Sequence, residues 1–315
     1  MVAVVEFSTP TWLIYYLQFM GSASFILNLG TIYLIVRKSE RIDNFRYFLL
    51  LFQIICTQTD LQFTFLMQPI PLSPLLAGYC NGFLATHLKI WTHYLVSFLT
   101  TSFVAQIECL VFCFIRKHQT IARLNYRHIL TDAWYVFGTL LAVSVPILIG
   151  VLLSFSGMPR EDQMGYIQQN FPEYFVSFQS LPNFVIYAVN FRLILLLTLT
   201  IIGGLSCGII FILLTTDMLK MLKKIQRKVS VVSFRRYQIA VTSLLAQFFT
   251  SFLLSVPLFL FLVLAASQAE HSHGAAKILV AVMPLYSVVN ALVLVFTTPP
   301  YRNFVLRFVC SERKY

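Results

Sequence analysis

Charge is what this sequence has least of. Only 11% of its 315 residues are Asp, Glu, Lys or Arg, where a soluble domain carries about a quarter. No polar stretch is long enough to form a second domain, so one membrane domain covering residues 1–315 is expected. The six Cys form no CxxC pair and have no His at metal spacing, which leaves no zinc site, redox pair or other cofactor site visible. Cys56, Cys109, Cys113 and Cys207 fall inside apolar runs, as small core residues do. The N-terminus lacks a basic n-region and its apolar stretch is too long for a cleaved signal, so a membrane span is expected there. No internal repeat is present, which gives an inverted-repeat transporter no support.

Apolar residues supply 58% of the chain, and the mean hydropathy is +0.78. A hydrocarbon core about 30 Å thick needs roughly 20 apolar residues per helix. Seven stretches meet that length: 11–36, 47–68, 88–115, 133–155, 193–215, 239–266 and 275–298. They are continuous, without the two-residue alternation of barrel strands, so an all-α seven-helix bundle is predicted.

The +11 formal charge is distributed to one side. Of 23 Lys and Arg, 19 fall in the segments after stretches one, three and five and in the tail. Arg37, Lys38, Arg41 and Arg46 form the first group, and Arg116, Lys117, Arg123 and Arg127 the second. The third runs from Lys220 through Lys223, Lys224, Arg227 and Lys228 to Arg236, and the tail adds Arg302, Arg307, Arg313 and Lys314. The positive-inside rule then puts the N-terminus outside and the tail in the cytoplasm. The charge reads as topology and not as a nucleic-acid patch.

Ionisable and amide groups within the stretches are the functional candidates, because they are costly in lipid. Asn28, Asp60, Glu108 and Asn290 are the set. Counted at about 1.5 Å per residue, Asn28 and Asn290 lie about 13 Å above the cytoplasmic boundary and Asp60 about 20 Å, and their convergence into one buried polar cluster acting as a conformational switch is expected. Interhelical glue is the plainer reading. At the outer end of the third stretch, His87, Trp91, His93 and Tyr94, with Lys277 across the bundle, form a candidate ligand pocket. An interfacial belt with snorkelling Lys89 fits the same residues. His271 and His273 name no third metal ligand. Pro146, Pro257 and Pro284 interrupt helices, and Pro257 could hinge the sixth. The loop at 156–190, with seven aromatics, either caps the pocket or rests on the interface. Met218, Leu219, Leu222 and Ile225 among lysines suggest an amphipathic extension that docks a partner or lies on anionic lipid. Cys310 is a palmitoylation candidate.

Several segments resemble a known family. They are Phe45-Arg46-Tyr47-Phe48 leading to Thr59-Asp60, Met67-Gln68-Pro69-Ile70-Pro71-Leu72, Cys113-Phe114-Ile115-Arg116-Lys117-His118-Gln119, and Pro300-Tyr301-Arg302. Together they are similar to nematode serpentine chemoreceptors of class I, near class H, in the Str-type superfamily. The resemblance implies a G-protein-coupled receptor for small environmental chemicals, in the plasma membrane and sensory cilia. Its implied partners are a chemical ligand, a heterotrimeric G protein and membrane lipid, with homo- or hetero-oligomers left open. Arg116, Lys117, Lys223, Lys224, Arg227, Tyr301 and Arg302 would form the G-protein face. Cys109 and Leu110 follow Glu108 where relatives read Glu-Asn-Arg, and Asn290 is followed by Ala291 where rhodopsin-like receptors have Pro. The long outer loop holds no Cys to pair with Cys80. A seven-helix ligand-gated channel is the first rival reading, with the opposite orientation. A membrane-embedded enzyme is the second, with His118 and His128 placed in a basic loop without carboxylate partners; no catalytic residue is identified.

Overall fold

A computed structural model describes residues 5–38, 45–125, 129–226, 229–267 and 272–311. It holds seven helices long and apolar enough to cross a membrane: span 1 Thr11–Lys38, span 2 Phe45–Met67, span 3 Thr92–Leu124, span 4 Asp132–Ser156, span 5 Phe191–Ile225, span 6 Val231–Phe261 and span 7 Ser272–Thr297. In lipid each must satisfy its own backbone, which a helix does internally. Half of the apolar window of span 2 is buried and 44% of that of span 7, against 22% for span 4 and 11% for span 5. Spans 4 and 5 therefore present most of their surface to lipid. Span 3 is the hub, packing on spans 2, 4, 5 and 6. Leu17, Phe52, Phe114 and Met218 are among the largest fully buried side chains of the core.

The helices depart from the apolar stretches where charge or proline intervenes. Span 3 begins at Thr92 because Lys89 takes a left-handed conformation (φ 53°). It continues far beyond Ile115, and spans 5 and 6 likewise carry helix into the basic segments. The apolar residues there explain why. Met218, Leu222 and Ile225 are buried in the core while Lys220, Lys223 and Lys224 point outward. Most of the expected amphipathic face is thus spent on the bundle itself, with Leu219 and the lysines left outside. His118 also differs from its expected loop position: it is helical and buried.

Span 2 ends in a π-helical turn, Gln62–Met67, with the Gln68 N–H donating to Phe63 O at 3.1 Å. Pro69 disfavours a helical residue before it, and Gln68 is left-handed at φ 47°. Span 7 is two helices, Ser272–Val282 and Leu285–Thr297, separated at Met283–Pro284. Pro146 and Pro257 lie inside continuous helices. A further helix, Pro299–Ser311, follows span 7 and packs Phe304 and Val305 on the core. The proline that opens it suits a helix start, where the missing N–H has no partner to lose.

The end of the bundle that carries the N-terminus is closed by a folded lid. Strands β1 (Pro69–Pro71), β2 (Ala77–Cys80) and β3 (Val185–Ile186) pair antiparallel in that order. Helix Arg160–Asn170 and the Phe175–Gln179 turn complete it. A second apolar cluster, including Ile70, Leu72, Ile167 and Phe178, gives the lid its own core, with Val5 and Phe7 of the N-terminal segment packed into it. The 156–190 loop is therefore a cap. Gly82 allows the lid to close on span 2, since a Cβ there would lie 2.5 Å from the Leu66 carbonyl carbon. The opposite end is the basic end.

Candidate functional site

Three zones follow one another from lid to basic end. Under the lid, Trp91, His93 and Tyr94 form one aromatic group, with ring centroids 4.9 Å apart for Trp91–His93 and 5.7 Å for His93–Tyr94. Trp91 Nε1 donates to Phe184 O at 3.0 Å, tying it to the lid. His93 is 2% exposed, and both ring nitrogens are used: Nδ1 lies 3.0 Å from Tyr187 Oη, and Nε2 3.1 Å from Ser154 O. A carbonyl only accepts, so the proton sits on Nε2 and Tyr187 donates to Nδ1. His93 therefore fastens spans 3 and 4 to the segment before span 5. Tyr94 points outward, and His87 is exposed against Phe83.

Gly157 is the residue that lets the His93 ring sit there, since a Cβ would lie 2.3 Å from its Cε1. Gly157→Ala is expected to displace the ring and cost about 1–3 kcal/mol, as overpacking does. Thermal unfolding in detergent checks this; an unchanged midpoint would mean the ring has room to move.

Lys277 stands apart from the aromatic group. It is buried and donates to Glu6 Oε2 at 2.8 Å, with His273 Nε2 3.3 Å from the same oxygen. The N-terminal segment is thus strapped to span 7. Hydrogen bonding to Lys277, then to Ser8, and the Lys277 charge hold the Glu6 carboxyl at about 2, below its usual 4.5. A depressed carboxyl supports the folded contact above its unfolded value and loses that support as pH falls through its folded one. The strap is expected to hold above pH 4.5 and to loosen between 4.5 and about 2. Hydrogen exchange of residues 5–10 measures it, and Lys277→Met should exchange fast throughout. Equal protection across that pH range would remove the ion pair as the fastening.

The second zone is the polar core. Asn28 Nδ2 donates to Ser287 Oγ at 2.7 Å and Ser24 Oγ at 3.0 Å, Ser24 Oγ donates to Ser287 Oγ at 2.9 Å, and Gln53 Nε2 donates to Asn28 Oδ1 at 2.5 Å. Asp60 lies beside Ser24 and faces the same small cavity as Ser287. Spans 1, 2 and 7 are thereby linked. A cavity of about 20 Å³ beside Asp60, Thr59, Gln106 and Ser287 has room for one water. Asn290, one turn beyond Ser287, is fully buried with neither amide atom hydrogen-bonded. Glu108 lies on span 3 within electrostatic reach of Cys207 on span 5, its Oε2 buried without a partner. Of the four candidates, Asn28 and Asp60 are thus brought near each other, while the Asn290 amide and Glu108 Oε2 have no hydrogen-bond partner.

The third zone is a cavity of about 390 Å³ at the basic end, lined by spans 1, 2, 3, 6 and 7 and the start of the last helix. Lys117 is buried in its wall, over the Phe45 and Tyr237 rings at 5.0 and 5.3 Å. Tyr301 is also buried there, whereas Arg302, Lys223 and Lys224 are exposed and do not line it. Arg116 lies over Phe48 and Tyr135 at 4.9 and 5.1 Å. Beside it, His118 Nε2 meets Asp217 Oδ2 at 2.8 Å, joining span 3 to span 5. Arg227 and His271 lie outside the described residues, as do Arg41, Arg127, His128, Lys228, Arg313 and Lys314.

The model for the serpentine type seven-transmembrane G-protein-coupled chemoreceptor family Sri matches residues 3–305. The chain belongs to that family. Its fold is that of a G-protein-coupled receptor. The crystal structure of squid rhodopsin superposes with a TM-score of 0.58 at 12% identity, over 96% of this chain and 85% of that one. No match is found among curated proteins. Family and fold are of receptor type, and this Sri chain is a multi-pass membrane protein. Three features of it escape reading by apolar runs and charge: the lid's short strands, the uncharged partners Ser24, Gln53 and Ser287, and Asp217 facing His118. The helix after span 7 does carry a signal, Tyr301, Phe304 and Val305 at helical spacing after two prolines.

Proposed function

We propose that the chain is a receptor through which a small chemical at the lid end controls a heterotrimeric G protein at the basic end. The family match over residues 3–305 carries this reading. The positive-inside bias supports an outside N-terminus and a cytoplasmic tail, and membership of a chemoreceptor family supports the plasma membrane, sensory cilia included. Residues 1–315 act as one seven-helix unit without a catalytic role. The ligand enters beneath the lid and meets Trp91 and His93, with Tyr94 and His87 at the rim and Lys277 anchoring the strap. Binding there works on the lid, on span 4 and on the segment before span 5, because the same two side chains hold all three. A ligand that favours one arrangement of these elements shifts the population of the whole bundle. Asn28, Asp60, Glu108 and Asn290 are the groups whose pairing changes, and Pro257 is the hinge of span 6. The cavity at the basic end receives the G protein, and Arg116, Lys117, Lys223, Lys224, Arg227, Tyr301 and Arg302 are the residues that meet it.

The test is expression in cells carrying a promiscuous G-protein reporter, challenged with small volatile and water-soluble organics. A saturable response lost in Trp91→Ala at unchanged surface expression is the expected result. Termini tagged in intact cells should be outside for residue 1 and inside for residue 315; the reverse would overturn the coupling direction and favour a channel.

A further inference from the structure

The fastening of the N-terminal segment to span 7 joins two groups of unequal standing. The Lys277 side chain is 8% exposed, whereas that of Glu6 is 56% exposed. A buried ammonium needs an anion close by, because leaving it unpaired away from water is strongly destabilising. Among the described residues that anion comes from the segment before span 1, which Val5 and Phe7 pack into the lid and Thr9 ties to Tyr79 Oη at 3.1 Å. Glu6 also serves the cation incompletely. Its Oε2 accepts from Lys277 Nζ at 2.8 Å, while its Oε1 is turned back to Ser8, whose hydroxyl donates at 2.6 Å. His273 Nε2 lies 3.3 Å from the same Oε2, and the ring is close to the Ser73 backbone. Neither ring nitrogen makes a well-formed hydrogen bond, although both are buried. Ser73 Oγ donates to Ser272 Oγ at 2.7 Å, which fixes the lid to the start of span 7 beside them.

We infer that Lys277 and His273 form a binding site for small carboxylic acids in their anionic form, with the Glu6 carboxylate as a built-in, displaceable occupant. A free carboxylate brings two unengaged oxygens. One accepts from Lys277 Nζ and the other from the His273 Nε2–H, and the charge strengthens both bonds. Beyond its Cα the Glu6 side chain is itself a propionate, so a short acid matches the space that it leaves. The exposure of Glu6 gives that side chain a way out and the ligand a way in from solution at the lid end. Exchanging one carboxylate for another keeps Lys277 paired in both states, so neither strands a buried charge. The exchange also unfastens the N-terminal segment from the Ser272–Val282 half of span 7. Phe7, next to Glu6, packs on the Tyr174 and Phe178 rings at 5.7 and 5.1 Å, so the event is felt in the lid. The inference gives the proposed receptor a ligand class at a point apart from Trp91 and His93. It rests on that reading for its signalling consequence alone.

The experiment uses the full-length protein in phosphatidylcholine nanodiscs at neutral pH. Binding of propionate, hexanoate and benzoate is measured by equilibrium dialysis, with the methyl ester of each as the uncharged control. Saturable binding of an acid but not of its ester is expected, and hydrogen exchange of residues 5–10 should quicken as the acid is added. Glu6→Ala removes the tethered competitor, so affinity should rise about tenfold, and bound acid should raise the thermal midpoint of that variant. Lys277→Met frees the same segment but takes away the cation, so affinity should fall about tenfold or more. These two variants both release the strap yet move binding in opposite directions, which a loosened lid by itself would not do. His273→Leu should weaken binding about threefold or more, while residues 5–10 exchange at the parent rate without ligand. No saturable binding of any of these acids overturns the inference. So does equal binding of acid and ester, or unchanged affinity in Lys277→Met or His273→Leu. Acid binding without any reporter response leaves the inference standing and counts against the receptor reading. A reporter response to uncharged organics in a protein that binds no acid keeps that reading and sinks this inference.

Discussion

Replacing Asn290 with leucine is expected to raise the thermal midpoint of the receptor and to cut its response to ligand. The side chain is fully buried and neither amide atom has a partner in this arrangement. Each buried unsatisfied group costs about 1–3 kcal/mol, so leucine should stabilise the arrangement described. Gln53 Oε1 is also buried and unpartnered, while the Gln53 amide nitrogen holds Asn28. Asn28 in turn reaches span 7 at Ser287, one turn before Asn290. A movement of the Leu285–Thr297 segment by about one helical turn, roughly 5.4 Å, would exchange Ser287 for Asn290 and satisfy the idle amides. The break at Met283–Pro284 lets that segment move separately from Ser272–Val282. Two discrete pairings of this kind are what a bistable element needs. Leucine removes the partner of the second arrangement, and a bias of about 1.4 kcal/mol shifts the equilibrium tenfold. The maximal reporter response should therefore fall by roughly that factor. A lowered midpoint with a normal response would make Asn290 a packing residue.

What could be read in advance divides along physical lines. The bilayer imposes length and polarity on each span, so the seven helices and the basic bias stand out in composition. Helix ends do not, because a criterion based on apolar runs stops at the first charges while the backbone continues wherever one face is still buried. Arg116 and Lys117 are within span 3 for that reason, and Met218 and Leu222 carry span 5 onward. The lid's strands span three, four and two residues, too short for an alternation to register. Asn28 and Asp60 were legible as costly groups in lipid, but the hydroxyls and amide that partner Asn28 are cheap enough to pass unnoticed. His93 shows the opposite difficulty. Its position near an aromatic cluster suggests a ligand contact, but nothing in the sequence announces the fastening between elements that its two bonded ring nitrogens provide.

Breaking the His118–Asp217 pair is expected to raise basal signalling about tenfold. The two residues are 99 positions apart and meet at 2.8 Å across spans 3 and 5 at the basic end. Gln119 Nε2 donates to His118 Nδ1 at 3.1 Å, and Gln119 Oε1 accepts from the Leu130 N–H at 2.9 Å. His118 therefore carries its proton on Nε2, donates it to the carboxylate, and is oriented by a side chain that also ties down the segment entering span 4. A hydrogen bond to a charged group contributes about 1.5–3 kcal/mol. Asp217 is one-third exposed, so solvent screening brings this to the lower end, still near a tenfold shift. Spans 3 and 5 border the region a partner would enter, and loosening them lowers the cost of opening it without ligand. His118→Ala and Asp217→Ala should each raise basal reporter activity, and the double variant should rise no further, since both remove one contact. Additive increases would show that the two side chains act separately. Basal activity at the parent level in all three, with only a lower thermal midpoint, would make the pair a structural tie and place the closed-state restraint elsewhere in the bundle.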